Sequence, residues 1–380
     1  MMRVVVALDS FKGSLGSRPA GEAVAAGVRS ADPTADISVL AIADGGEGTI
    51  DALLSAREGH RALVETIDAL GRSVQGGYAV LDAGRTAVLE SAATIGLTTV
   101  GAIDASLSVR ASSAGLGVVL RHALDCGVER ILIGLGGTAT TDGGTGLMAA
   151  LGTRLLDATG RPRTAGALNP LWWVEDLDPA TVPDLRGVEL VALADVDNPL
   201  LGPRGAAHLY GPQKGATAEQ VEELDRRMGR WATALEKATG RAVKEVPGAG
   251  AAGGLGAALL ALGARIEPGF ERVAREIALR PTMERADLVL TGEGRIDAQT
   301  GHGKCPAGVA RMAREAGAVV VALAGRVDHP LGPVGELFDA VLPIHALPLP
   351  LDEAMDAHAT AAGLAATAGE VVRLLRAARR

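Results

Sequence analysis

The sequence predicts an α/β protein of two domains built on largely parallel sheets. Three observations predict it. Short β-branched runs alternate with alanine-rich helical stretches, the pattern of parallel strands joined by right-handed crossovers. Aromatic residues make up only 2% of a chain that is 48% hydrophobic, so Ala, Val, Leu and Ile fill the core, as in sheets covered by helices on both faces. The length of 380 residues also exceeds what one hydrophobic core usually serves.

In chain order, strands are expected at residues 4–8, 37–42, 130–133, 189–194, 287–290, 319–323 and 340–344. Each is a short run rich in β-branched or other apolar residues. Helices are expected at residues 18–29, 49–57, 113–125, 218–238, 303–316 and 352–376. Between 61 and 91 the pattern changes. Residues 61–68, 76–81 and 86–91 read as consecutive strands with glycine turns, a hairpin-rich insertion. The chain is therefore divided into one discontinuous domain, residues 1–70 plus 282–380, and a middle domain, residues 71–281, with crossings near Gly71 and Pro281. No 20–50-residue period recurs, which excludes a solenoid.

The net charge of −8 and the lack of a basic stripe interleaved with aromatics argue against a nucleic-acid partner. The apolar segments are broken by glycine and charge well before the roughly 20 residues of a membrane span. Cys126 and Cys305, far apart, form neither a disulfide framework nor a zinc spacing. With a strand at the start and no signal-peptide pattern, the expected location is cytoplasmic. The seven histidines show no metal-binding spacing.

Three glycine- and acid-rich stretches each follow an apolar run: Ala43-Asp44-Gly45-Gly46-Glu47-Gly48-Thr49, residues 134–144, and Thr291-Gly292-Glu293-Gly294-Arg295-Ile296-Asp297. Glycine lets a ligand approach main-chain N–H groups, and carboxylates beside such turns hold a hard cation or accept a proton. Asp44, Glu47, Asp142, Glu293 and Asp297 flank these loops, and Asp195 and Asp197 occupy a further turn. Any one of them reads equally well as a helix cap. Asp195 and Asp197 fit that reading least, because no helix is expected directly after them. Together, acids at the carboxyl ends of several strands stand where open α/β sheets bind ligands.

There is no Walker A loop: Gly303-Lys304 is followed by Cys305. Residues 248–253 match G-x-G-x-x-G and residues 134–139 its G-x-G-x-x-A variant, but among 51 glycines such matches come cheaply. Neither has the strand–turn–helix context of a dinucleotide site. Lys12, Lys214, Arg295 and Lys304 are the candidate basic partners, Lys12 foremost because it directly follows a strand. Trp172, Trp173 and Trp231 read as core or interface.

The whole set resembles the bacterial glycerate kinases that phosphorylate D-glycerate with ATP. The resemblance spans nearly the whole chain and rests on seven blocks in order: Asp9-Ser10-Phe11-Lys12-Gly13-Ser14; residues 43–49; residues 134–144; Asp195-Val196-Asp197-Asn198-Pro199-Leu200; Tyr210-Gly211-Pro212-Gln213-Lys214-Gly215; residues 247–256; and residues 291–297 with His302-Gly303-Lys304. Two departures stand out. Residues 108–117 diverge from the family's threonine-rich segment, with Ser112 and Ser113 as substitutes for its hydroxyls, and Thr141 stands where the family more often has Asn.

The resemblance implies two α/β domains, one flavodoxin-like and one with a mixed sheet, and an active site in the cleft between them. It implies ATP, Mg²⁺ and D-glycerate as ligands and 2-phosphoglycerate, rather than 3-phosphoglycerate, as product. Asp44 and Glu293 are the expected metal ligands. Asp195 is the expected base, with Asp297 second, and Lys12 neutralises charge on the transferring group. Arg295, Ser10 and Asn198 are expected at the substrate. Gly45, Gly46, Gly136, Gly137, Lys214, Gly250, Gly253, Gly254 and Lys304 are expected at the nucleotide and its phosphates. Two other readings compete: a nicotinamide-dependent oxidoreductase of a small hydroxy acid, and a non-catalytic ligand clamp. The chain could act as a monomer or a homodimer.

Overall fold

The computed structural model describes residues 1–164, 169–301 and 305–378. Its strands, in chain order, are β1 (Arg3–Leu8), β2 (Asp36–Ala41), β3 (Gly59–Ile67), β4 (Ser73–Leu81), β5 (Thr86–Glu90), β6 (Arg130–Gly134), β7 (Leu155–Leu156), β8 (Asp176–Leu177), β9 (Glu189–Leu193), β10 (Arg265–Glu267), β11 (Leu288–Ile296), β12 (Val319–Val327) and β13 (Ala340–Pro343). The chain forms two compact units, one of Met1–Asp44, Asp51–Arg57 and Phe270–Arg380, the other of Gly45–Ile50 and Glu58–Gly269.

In the first unit the sheet runs β13-β12-β11-β1-β2, and every pairing is parallel. Counted within the unit from the β2 edge, this is order 2-1-3-4-5, the flavodoxin-like arrangement, whose switch point lies between β1 and β11. The near-continuous apolar β1 is what a strand covered on both faces requires. On one face Val4, Val6, Leu8, Leu288, Leu290 and Leu323 form a core with Val24 and Val28 of helix Ser17–Ala31 and Leu364 and Val372 of helix Ala357–Ala378. Gly27 makes that helix pair possible, since a Cβ there would lie 1.9 Å from Ala365 O.

The single helix expected over 352–376 is instead two, Leu351–Ala354 and Ala357–Ala378. Asp356 accepts the Ala359 N–H at 2.8 Å, and its cap starts a new helix rather than continuing the first.

The second unit carries the sheet β10-β9-β6-β5-β4-β3. β3, β4 and β5 pair antiparallel, and β5, β6, β9 and β10 parallel, so the hairpin-rich segment extends a parallel sheet into a mixed one. Its core, with Tyr78, Leu89, Ile131, Ile133, Trp231 and Leu255 among its members, is separate from that of the first unit.

Besides the short excursion of Gly45–Ile50 into the second unit, the joins fall at 57/58 and 269/270, where 70/71 and 281/282 were expected. β3 pairs with β4 from Gly59↔Leu81 to Ile67↔Ser73, which carries residues 59–67 into the second sheet. At the other join Phe270 packs where a Cβ on Gly308 would sit, 2.2 Å from its ring, on helix Cys305–Glu315 of the first unit. Among the described residues, no helix is long and apolar enough to cross a membrane.

Candidate active site

In the first unit, acids gather at the carboxyl ends of β1, β2 and β11. Leu8 is in register with Ala41 and with Gly292, and the Asp9 N–H continues the ladder to Gly292 O at 2.9 Å. Asp9, just past β1, is thereby brought beside Glu293 and the turn that carries Asp44. Asp9 is buried and accepts the Ser10 N–H at 2.7 Å. Burial, then the charge of Asp44, push its carboxyl up to about 7; the Ser10 amide and the Lys12 ammonium hold it down, and Glu293 adds a smaller push upward. Lys12 stands in a tight turn closed by Phe11 N–H to Leu15 O at 2.8 Å, with Gly13 at φ +80°. Burial and the neighbouring acids thus disfavour ionisation of Asp9 more than Lys12 and the Ser10 amide favour it.

Nearby, Thr300 Oγ1 donates to Glu293 at 3.0 Å and accepts the Asp297 N–H at 3.2 Å. Arg295 lies along Asp328, Nε at 2.8 Å and Nη2 at 2.7 Å, with Asp297 at 3.4 Å. Its expected role as a carboxylate clamp thus starts from an arginine already in ion pairs and 60% exposed. Ser10 Oγ is buried with no hydrogen-bond partner among the described residues. Lys304 lies outside the described residues.

The second unit builds a different polar centre under the loop that follows β6. Asp142 is fully buried and accepts four donors: Ser113 N–H and Oγ–H at 2.8 Å each, Gly144 N–H at 3.0 Å and Gly146 N–H at 3.1 Å. Burial pushes its pKa up and those bonds oppose the push. The diverged segment 108–117 thus supplies, through Ser113, a hydroxyl that anchors the loop. Lys214 is 4% exposed and donates to Thr140 O at 2.7 Å and Thr138 Oγ1 at 3.3 Å. Burial lowers its pKa to about 8, with Asp142 opposing. Lys214 is turned into its own loop, its ammonium bonded to loop oxygens. Trp231 belongs to the core, as read, but its indole N–H also holds Gly143 O at 2.9 Å.

Several glycines expected at the nucleotide have packing reasons. A Cβ on Gly45 would lie 2.9 Å from Leu193 Cβ, on Gly136 2.8 Å from Gly46 Cα, on Gly250 2.1 Å from Asn198 Nδ2, on Gly253 2.0 Å from Thr140 O, and on Gly254 2.9 Å from Gly143 Cα. These glycines let loops meet backbone to backbone. Gly137 differs: it is exposed, and a Cβ would come no closer than 3.2 Å to Ala92. Asn198 is buried, with Oδ1 unpartnered among the described residues.

Asp195 accepts the N–H of Gly269 at 2.7 Å, at the start of helix Gly269–Glu276. No helix follows Asp195 directly, yet it contacts the start of one far along the chain, so the expectation that it fits capping least is overturned. Asp197 is 81% exposed in an ion pair with Arg204, worth little in water. Asp9 is the residue the motif reading missed. Its signal was present: it is the first acid after β1, the strand-end position that singled out Asp44.

Carboxylates around a lysine thus stand at the switch point of a flavodoxin-like sheet, the place where open α/β sheets bind ligands. Residues 4–376 match the glycerate kinase family. The chain belongs to that family. A glycerate kinase of Bacillus subtilis (strain 168) is 41% identical over 361 residues, covering 93% of either chain. The glycerate 2-kinase of Escherichia coli (strain K12) is 40% identical over 358 residues, again 93% of both. The crystal structure of a candidate glycerate kinase 2 from Salmonella typhimurium LT2 superposes with a TM-score of 0.84 at 38% identity, covering 100% of this chain and 99% of that one. As a member of the glycerate kinase family, the protein is a kinase enzyme, and the resemblance read from the seven blocks is correct. No observation favours the oxidoreductase: residues 248–253 pack on Asn198 and Thr140, and residues 134–139 do not open a helix directly, the next one starting only at Thr145 after the left-handed Gly143 and Gly144.

Proposed function

We propose that the protein transfers the γ-phosphoryl group of ATP to the 2-hydroxyl of D-glycerate with the help of Mg²⁺, in the cytoplasm. The observation that carries this reading is the cluster of Asp9, Asp44, Glu293 and Lys12 at the strand ends of the first unit. The name of the E. coli relative, glycerate 2-kinase, supports the 2-position.

Asp44 and Glu293 fit a divalent cation. They are hard oxygen donors beside a third carboxyl, Asp9, whose pKa is raised first by burial and then by the charge of Asp44, with a smaller push from Glu293. Among the described residues, no group of three or more His, Cys, Asp or Glu side chains is placed to hold a metal ion by itself. Asp44 and Glu293 would hold Mg²⁺, which would supply positive charge against that of the phosphates.

Lys12 faces the charge that builds on the transferred group. Asp195, or Asp297 in its place, accepts the hydroxyl proton as the new O–P bond forms and the bond to ADP breaks; such help is worth about 10²–10⁴-fold. Arg295 exchanges Asp328 for the glycerate carboxylate, which a guanidinium grips with two N–H groups, and Ser10 Oγ and Asn198 Oδ1 offer unspent polar atoms for the substrate.

An assay of the protein with D-glycerate, ATP and Mg²⁺, coupled through enolase and read by ³¹P NMR, tests the proposal. Enolase signal without added mutase supports the kinase and the 2-position together. ATP loss with 3-phosphoglycerate as product keeps the kinase and moves the hydroxyl. Folded protein without glycerate-dependent ATP loss ends the reading.

A further inference from the structure

The loop after β6 is held by its carbonyl side. Ser91 Oγ donates to Gly136 O at 3.3 Å, and the Leu97 N–H to Gly137 O at 2.9 Å. Lys214 Nζ takes Thr140 O and Thr138 Oγ1, Asn169 Nδ2 takes Thr141 O at 3.2 Å, and Trp231 takes Gly143 O. These donors come from different elements, and Ser91, Asn169, Lys214 and Trp231 are all buried. A trans peptide is one rigid plane in which C=O and N–H point in opposite directions. Fixing the oxygens of Gly136 and Gly137 therefore aims the N–H groups of Gly137 and Thr138 the other way. Gly137 is the exposed tip of this loop, Gly136 is half-buried, and everything from Thr138 to Met148 is buried beneath.

We propose that Ser91 and Lys214 are positioning residues for nucleotide phosphate. They lock the turn at 136–138 so that the Gly137 amide, at the exposed tip, meets a phosphate oxygen with the Thr138 amide aimed the same way behind it, and neither side chain touches the phosphate itself. Successive backbone N–H groups in such a turn form an anion-binding concavity. Lys214 serves as a strut: its ammonium lies under the loop, bonded to a loop carbonyl and a loop hydroxyl. The inference rests on the kinase reading for the identity of the anion.

Calorimetric titration of the full chain with ATP and Mg²⁺, comparing wild type, Ser91→Ala and Lys214→Met, tests it. Loss of one holding bond is expected to weaken ATP binding about threefold for Ser91→Ala, and loss of the charged donor about tenfold for Lys214→Met. A merely structural role lowers the folded fraction, hence the number of sites, and leaves the affinity alone. Ser91→Ala keeps the side-chain shape and serves as the decisive variant if Lys214→Met folds poorly. Wild-type affinity in folded Ser91→Ala overturns the inference, as does weakening confined to Lys214→Met, which would make the lysine a direct ligand. Wild type that binds ATP without phosphorylating glycerate defeats the functional reading and leaves this inference standing, whereas wild type that fails to bind ATP defeats both.

Discussion

The two units each bury an aspartate with a lysine nearby, just past a strand of a parallel array, and do opposite things with it. In the second unit Asp142 has four hydrogen-bond donors and the charge of Lys214 acting on it. In the first unit Asp9 has the Ser10 amide and the Lys12 charge on its side, and burial, Asp44 and Glu293 against it. Burial raises both carboxyls, but equal residue types yield a knot whose hydrogen bonds all oppose that rise in one place and a carboxyl that neighbouring acids push further up in the other. A satisfied buried charge holds a loop. A cluster whose charges oppose one another is a place where a ligand's charge completes the balance. The contrast separates structure from function better than residue identity does.

The sharpest way to break this contrast is to remove the two kinds of acid and compare stability with activity. Asp142→Ala leaves Lys214 buried beside a vanished charge and four donors without an acceptor, so unfolding by urea should show a loss of about 3–5 kcal/mol. A loss below about 1 kcal/mol would show that the knot holds nothing. Glu293→Gln should do the reverse. Folding stability stays level or rises as repulsion on Asp9 is relieved, while kcat falls by about 10²–10³-fold, the scale of losing one well-placed electrostatic contact. A Glu293→Gln enzyme that turns over normally would remove the strand-end cluster from the chemistry.

Asp195 tests the contrast from the other side, because it belongs to the second unit and holds an amide, Gly269 N–H, as a structural residue would. If it is also the base, Asp195→Asn lowers kcat by about a hundredfold. If it only holds the helix start, the same change costs about 1 kcal/mol of stability and leaves turnover intact. Steady-state kinetics beside a thermal melt of the same preparation decides between them.

What the sequence made legible follows the range of the forces involved. β1 and the strands near 130 and 319 are apolar runs whose burial is written in their own residues, and they appear where expected. β10, Arg265–Glu267, has no apolar run and exists because β9 offers it an edge to pair with. The domain joins were displaced for the same reason, since pairing of β3 with β4 and the seat of Phe270 against Gly308 are tertiary facts. In the site, strand-end acids such as Asp44 and Glu293 were legible from position. The partner of Asp195 is not visible locally, because Gly269 stands far along the chain. Nor does Gln213-Lys214-Gly215 signal burial: only the fold decides that its lysine points inward. Local patterns announce strands and loop acids; whether a charge is spent or unspent is decided by what folds over it.

That last distinction predicts a small effect of definite sign. Burial sets the folded pKa of Lys214 at about 8, below its ordinary 10.5, so between those values the unfolded chain binds more protons than the native one. Stability linked to this group must then rise with pH across that window, because deprotonation removes a charge that burial penalises. Between about pH 8 and pH 9 the rise is about 1 kcal/mol, and it is absent from Lys214→Met, which has no proton to lose. Urea midpoints of wild type and variant at the two pH values measure the difference. A wild-type profile that falls as steeply as the variant's would mean that Lys214 stays protonated throughout, with Asp142 and the loop oxygens outweighing burial, and the knot would be tighter than its geometry suggests.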